Sequence, residues 1–325
     1  MCGGQTGGMN RVAVVCGLLL LGTGCSTTKS LAVTMAKTSL VVTSDGEPFA
    51  TYCYGESPRP YIWPLFAPGG IAVTRDHPMV GASGPRTGES KDHPHHQSLW
   101  LAHGDVDGFD FWHGKKNGER IEFEFGSVQW AATGNRVEVT SRGEWLVGES
   151  RVIARERRRV AFVDHGDHRT IDVTVYLRPA KLQITIGDTK EGTFALRVHP
   201  ALRVDGEVAT GVLRNSEGAT GKAVWGKRAR WIDDSGVVDG KPVGVAMFDH
   251  PDNPRHPTWW HARTYGLLAA NPFGVHDFEK KPDGAGDFVV KRGEVLALQY
   301  RVLLHGEGWD DARIEAAYER WARGL

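Results

Sequence analysis

The chain is short of cysteine. Three of its four cysteines, Cys2, Cys16 and Cys25, fall near the start, which leaves Cys53 alone in the rest of the sequence. One thiol forms no internal disulfide, and in the strand-like "ATYCYG" Cys53 reads as a packing residue. Excess charge of one sign is also lacking. Lys plus Arg and Asp plus Glu each number 39, so no net field draws in DNA, RNA or anionic lipid, and no nucleic-acid partner is expected. The one basic run, Arg155 to Arg159 (RERRR), is broken by Glu156 inside a strand-like stretch and reads as a solvated strand face. A G-x-S-x-G elbow, a P-loop and a G-x-G-x-x-G with βαβ alternation are all absent. That excludes serine hydrolases, P-loop nucleotide hydrolases and Rossmann oxidoreductases, and with them a nucleotide cofactor.

The longest apolar run lies at the N-terminus. Arg11 precedes "VAVVCGLLLLG" (Val12 to Gly22), followed by "TGCSTTKS". A basic residue, about a dozen apolar residues and then small ones describe a secretory signal, since spanning a membrane takes about twenty. Cys25 after Gly-Thr-Gly is similar to a bacterial lipoprotein cleavage site, where the cysteine is lipidated. Residues 1–37 are set aside as signal and tether. The protein is expected to be exported, periplasmic or an outer-membrane lipoprotein, touching the membrane only through Cys25. Residues 38–325 are read as one domain.

From Thr38 onward the pattern has period two. "RIEFEF" puts Ile121, Phe123 and Phe125 on one face. "RTIDVTVYLRP" sets Ile171, Val173, Val175 and Leu177 against Asp172, Thr174, Tyr176 and Arg178, and "KLQITIGD" aligns Leu182, Ile184 and Ile186. Such alternation means strands with one face in a core, and the short turns between them mean antiparallel sheets. One helix stands out after Asp310, with Ile314, Ala317, Tyr318 and Trp321 on a stripe and Gly324 at its end. It is expected to pack on a sheet edge. The fold class is all-β, a large antiparallel β-sandwich with one C-terminal helix.

Two stretches break the rhythm. In "KDHPHHQSLWLAHGDVDGFDFWHG" (91–114), five histidines crowd two dozen positions. On an extended backbone the His93 and His95 rings point the same way and reach one divalent ion, with His199 as a third ligand from a strand end, while His96 faces away. The plainer reading is that loop histidines here satisfy carbonyls and carboxylates. Asp105, Asp107 and Asp110 lack the spacing and the terminal Glu of a calcium loop and read as turn-formers. The second stretch, His256 to Phe278, interleaves Trp259, Trp260 and Tyr265 with His261, Arg263, Asn271, His276 and Asp277. Aromatic rings beside hydrogen-bonding groups suit sugars. A Trp-rich core corner is the alternative.

"RPYIWPLFAPGGIAVTRDHPM", "DHPHHQSLWLAHGDVDGFDFW" and "TWWHARTYGLLAANPFGVHDF" together resemble the PmoA-like family of uncharacterised bacterial proteins, over nearly all of the chain from residue 38. Gln97 stands where that family often has Arg. Its members are often labelled methane oxygenase, which the strand-rich pattern without a membrane span past residue 25 argues against. The resemblance implies work on carbohydrates, because such genes tend to accompany sugar-oxidising and sugar-degrading proteins. A galactose-mutarotase-like supersandwich is one form the expected sandwich takes.

Two functions follow. In the first, an exported enzyme cleaves or modifies glycosides or keto-sugars. His93, His95 and His199 hold a divalent metal, His261 or His276 moves the proton, and Arg263 and Tyr265 hold the developing oxyanion. Trp259, Trp260, Asn271 and Asp277 then seat the sugar. In the second, a non-catalytic surface lipoprotein binds glycan through the aromatic stretch.

Overall fold

The computed structural model describes residues 29–55, 57–80, 86–114, 116–124 and 126–325. The apolar run Val12 to Gly22, Cys25 and Phe125 lie outside the described residues.

The alternation resolves as the period-two rule requires. Ile171, Val173, Val175 and Leu177 are buried, while Tyr176 and Arg178 on the same strand are exposed. Ile184 and Ile186 are buried likewise, but Leu182 is 73% exposed, because the strand begins one residue later at Gln183.

Among the described residues the strands form two nine-stranded antiparallel sheets and one two-stranded pair. The first sheet runs from Leu31–Met35 through Tyr61–Ala67, Leu99–His103, Gly192–Arg197 and Leu267–Asn271 to Trp259–Trp260. The second centres on Leu296–His305, His168–Pro179, Arg151–Asp164 and Arg136–Val147. Their inner faces share one apolar core. Phe194 of the first sheet stacks on Tyr300 of the second at 4.7 Å, and Phe49 meets Phe162 edge-on at 5.7 Å. This is the all-β antiparallel sandwich expected.

The one long helix among the described residues, Asp311–Ala322, is capped by Asp310, whose Oδ1 accepts the Arg313 N–H at 2.9 Å. Its stripe of Ile314, Ala317, Tyr318 and Trp321 covers Trp231, Ala246, Phe248 and Leu303. These four sit on three adjacent strands inside the second sheet. The helix therefore lies across a sheet face and not along an edge. The cause is local: there the outward positions are apolar too.

A buried arginine ties the two layers together. Arg169 Nε donates to Asp164 Oδ2 at 2.9 Å, and its Nη1 donates to the carbonyls of Pro48 and Phe66 across the sandwich at 2.9 and 3.0 Å. Both partners of the ion pair are nearly inaccessible. Removing one side of such a pair leaves a buried charge and orphaned carbonyls, a cost of about 3–5 kcal/mol. R169M should lose about that much stability in urea denaturation, and the R169M/D164N double variant should recover part of it. A parental midpoint for R169M would show that Arg169 does not tie the layers.

Candidate functional site

The register of the first sheet prepares a surface. Trp100 pairs with Ala195 and Ala195 with Ala269. The His261 N–H continues the row by donating to the Ala269 carbonyl at 2.8 Å. Paired residues share a sheet face. Trp100, Ala195, Ala269 and His261 thus stand on the side away from Leu101, Phe194 and Ala270, which face the core. Small alanines leave room over this outer face, and the loop carrying the histidines fills it.

The backbone at His93 to His95 is a turn, not a strand. Pro94 occupies the second position of a turn closed by the His96 N–H on the His93 carbonyl at 2.9 Å, and His93 has φ 44°. The expected alternation is consequently reversed. His93 and His96 share a side and stack at 4.8 Å with 13° between planes, while His95 turns from both, edge-on to His96 at 4.4 Å. The stack extends from Trp100 through His96 and His93 to Tyr265, with centroid steps of 5.3, 4.8 and 5.3 Å.

Two arginines hold the turn. Arg75 and Arg197, each 2% exposed, are neighbours across the Thr74–Val198 bridge. Arg75 donates to the Asp92 carbonyl at 3.0 Å, the His96 carbonyl at 3.2 Å and the His93 carbonyl. Both guanidinium groups bond to Asp92 Oδ1 at 3.1 Å. Burial pushes the Asp92 carboxyl up, but Arg197, His93 and Arg75 outweigh it and hold it at about 2. Arg197 Nη1 also lies 3.1 Å from His96 Nδ1. A guanidinium only donates, so that nitrogen accepts and His96 is neutral. Burial first, then the neighbouring His95 and Arg197, push its pKa far down.

Three imidazoles remain at the surface of this construction. His93 Nδ1 lies 2.9 Å from Asp92 Oδ2, and His113 Nδ1 lies 2.7 Å from Asp110 Oδ2, so each is oriented by its own carboxylate. The two rings are 42% and 44% exposed, which leaves them open to a ligand. His95 sits between them, 5.7 Å from His93 and 4.3 Å from His113 by ring centroids. Its Nε2 is buried without a hydrogen-bond partner. The last two are driven apart electrostatically. Burial, with His113 and Arg59 nearby, lowers His95 to about 3. The hydrogen bond that His113 donates to Asp110 outweighs burial and raises His113 above its ordinary value. A neutral acceptor thus faces a retained proton donor.

The remaining expected residues take other places. Tyr265 belongs to the stack, under the Arg197 guanidinium at 4.5 Å, and the exposed Arg263 lies 6.0 Å from its ring. His261 is buried, and its Nδ1 donates to the Lys190 carbonyl at 2.8 Å. Burial lowers it to about 4. His276 is exposed on the short helix Val275–Glu279, where its Nδ1 donates to the Lys281 carbonyl and its N–H to Asp188. His199 Nδ1 accepts the Ala201 N–H at 3.1 Å, and burial lowers it to about 4. Trp259 and Trp260 are buried instead of offering platforms: they are 5% and 0% exposed, with ring N–H groups on Glu279 and the Ala229 carbonyl. Asn271 is fully buried and bridges the Thr189 carbonyl and the Phe273 N–H, and Asp277 accepts the Lys190 N–H.

Among the described residues, no three His, Cys, Asp or Glu side chains group as ligands for one ion. The turn splays His93 from His95, and His199 has committed Nδ1 to its own backbone, so this trio does not fit a divalent metal. Sequence reasoning missed Arg75, Arg197 and the Asp110–His113 dyad. A signal was present, since Arg-x-His-Pro occurs twice, at 75–78 and 197–200, and both arginines meet at the turn.

A family model described as "Family of unknown function (DUF6807)" matches residues 39–319. This overturns the resemblance to a PmoA-like family: the shared motifs carry a different family. No curated protein matches the sequence. Among solved structures, a glycoside hydrolase family 97 enzyme from Pseudoalteromonas sp. is 10% identical with a TM-score of 0.34, over 85% of this chain and 34% of that one. A "putative aldose 1-epimerase" from Klebsiella pneumoniae subsp. pneumoniae is 9% identical with a TM-score of 0.38, over 91% of this chain and 83% of that one. The chain spans about a third of the hydrolase's length. Likeness at this level carries no argument about reaction or ligand.

The lowered histidines fix a sign for stability. His95, His199 and His261 have folded values below the ordinary 6.5. Their contribution is complete above 6.5 and is lost as pH falls through the window toward about 4 and then about 3. His113 acts oppositely, its contribution being lost as pH rises through its raised value. His96, His103 and His165 are lowered by burial as well, so against the raised His113 a lower urea midpoint is predicted at pH 5 than at pH 7.5. An equal or higher midpoint at pH 5 would contradict the buried neutral histidines.

Proposed function

Because the chain belongs to the family of unknown function (DUF6807), whose name assigns no reaction, we propose from its own residues that it is an acid–base enzyme. Its substrates are carbohydrates: glycosides or keto-sugars. The observation that carries this reading is the His95–His113 pair, two rings 4.3 Å apart with oppositely displaced proton affinities. Environments that push two neighbouring titratable groups apart assign a base and an acid.

His95, held neutral, takes the proton from a carbon or hydroxyl next to the sugar carbonyl. His113, kept protonated by Asp110, gives one to the departing or carbonyl oxygen. His93, oriented by Asp92, contacts the same substrate from the other side of His95. Tyr265 offers a ring edge and a hydroxyl, and Arg263 an exposed cation for oxygen. A sugar suits this mixture of ring surface and closely spaced hydrogen-bonding groups better than an apolar ligand does. Metal plays no part in these steps.

The test is turnover of a panel of glycosides and keto-sugars by the purified protein. H95N and H113N should each lower kcat by about 10²–10⁴, while H276N stays near the parent. With His113 as acid, the rate should fall as pH rises past its value above 6.5, and D110N should move that limb to lower pH. Binding without turnover would replace this reading with the non-catalytic glycan-binding one. Parental turnover in both H95N and H113N would end it.

A further inference from the structure

The basic run RERRR gains a meaning once its faces are separated. Glu156 does not interrupt it at the surface. Its carboxylate turns inward, accepting Trp145 Nε1 at 2.8 Å and Arg158 Nε at 2.6 Å, and both Glu156 and Arg158 are buried. What remains outside is an unbroken series, Arg155, Arg157 and Arg159, all exposed on the outer face of the second sheet. Strand geometry spaces them about 6.7 Å apart.

The neighbouring strands add to this charge where a fold alone would avoid it. Arg157 pairs directly with Arg142, and Arg155 with Arg178. Like charges directly opposite each other destabilise a sheet. Arg142 is offset by Glu124 at 3.1 Å and Arg155 by Glu144 at 3.2 Å. Among the described residues, Arg157 and Arg178 have no ion-pair partner. Between them lies Tyr176, the cross-strand partner of Arg157, with 41% of its surface exposed. These groups line a groove of about 740 Å³ together with Thr140, Glu124 and Glu138.

We propose that this groove binds an acidic polysaccharide, with Arg157 and Arg178 taking carboxylates of the chain and Tyr176 supporting a sugar ring between them. Charge complementarity argues for an anion, since the ligand relieves two Arg–Arg contacts that the free protein carries. The glutamates on the same face argue for a sparsely charged polymer. A phosphate backbone would bring a charge at every unit against Glu124 and Glu138. A chain with a uronate at every second sugar presents hydroxyls between its charges, which donate to those carboxylates and exchange hydrogen bonds with Thr140. Tyr176 gives the flat apolar surface a sugar ring needs, and the bidentate guanidinium suits a carboxylate. The inference stands on the second sheet alone and does not need the acid–base reading of the first.

The test is binding of hyaluronate, which carries a carboxylate on every second sugar, to the full chain at low and high salt, with dextran, polyglutamate and single-stranded oligothymidylate as comparisons. The parent should bind hyaluronate in a salt-sensitive way and leave dextran unbound. R157Q/R178Q should weaken binding by about tenfold or more. The unliganded double variant should melt no lower than the parent, because it sheds like-charge repulsion. Unchanged binding by the double variant, no binding by the parent at low salt, or a lower melting temperature would overturn the proposal. So would tighter binding of polyglutamate or oligothymidylate, which would make this a peptide or nucleic-acid face. H113N should keep this binding, and R157Q/R178Q should keep any turnover, so the two readings fail separately.

Discussion

Two guanidinium groups, Arg75 and Arg197, lie side by side almost without solvent, and the candidate site depends on how that arrangement is satisfied. Like cations buried together repel, and each has lost its water. Burial, with the neighbouring arginine's charge, pulls Arg75 down to about 10. The compensation is one carboxylate, Asp92, shared between them, and the backbone carbonyls of Asp92, His93 and His96. The turn directs its carbonyls inward to the two buried cations; the His93 ring is left outside, while the His96 ring is buried against Arg197.

The same constraint explains why the fold was more legible in the sequence than the site. Strand alternation is a local property: Ile171 to Leu177 bury every second residue because the pleat does so wherever the strand lies. The Asp310 cap and the Ile314 stripe are local as well. The His93–His95 geometry is not. Spacing of one residue orients two rings alike only on an extended backbone. Whether the backbone is extended was decided by Pro94 and by Arg75 and Arg197, the latter a hundred residues away in sequence. The helix failed in the same way at one point. Its stripe was visible, but its seat on a sheet face needed the joint apolar character of Trp231, Ala246 and Leu303 on separate strands.

Burial also sorted the aromatic residues. Trp259 and Trp260 carry the features of a sugar platform in sequence, a flat ring beside polar neighbours. Yet both rings are buried, Trp259 with its N–H on Glu279 and Trp260 with its N–H on the Ala229 carbonyl, and a buried ring has no face to offer. Tyr265, a few residues on, lies past the end of that strand pairing and joins the histidine stack instead. Between residues of similar chemistry, the distinction came from register: Trp260 pairs with Ala270 on the core side, and His261 with Ala269 on the outer side.

Net charge of zero conceals a division between the two sheets. On the first, cations are drawn into the interior and consumed by Asp92 and by carbonyls, leaving neutral or carboxylate-paired imidazoles outside. On the second, the acidic member of the RERRR run is drawn inside by Trp145 and Arg158, leaving arginines outside. Period-two alternation produces both outcomes, because a sheet face selects every second residue and the sum over a sequence does not. A run that looks balanced when counted along the chain can be of one sign when read along a face. Charge in a β protein therefore belongs to faces: here one carries carboxylate-paired imidazoles and the other a series of arginines.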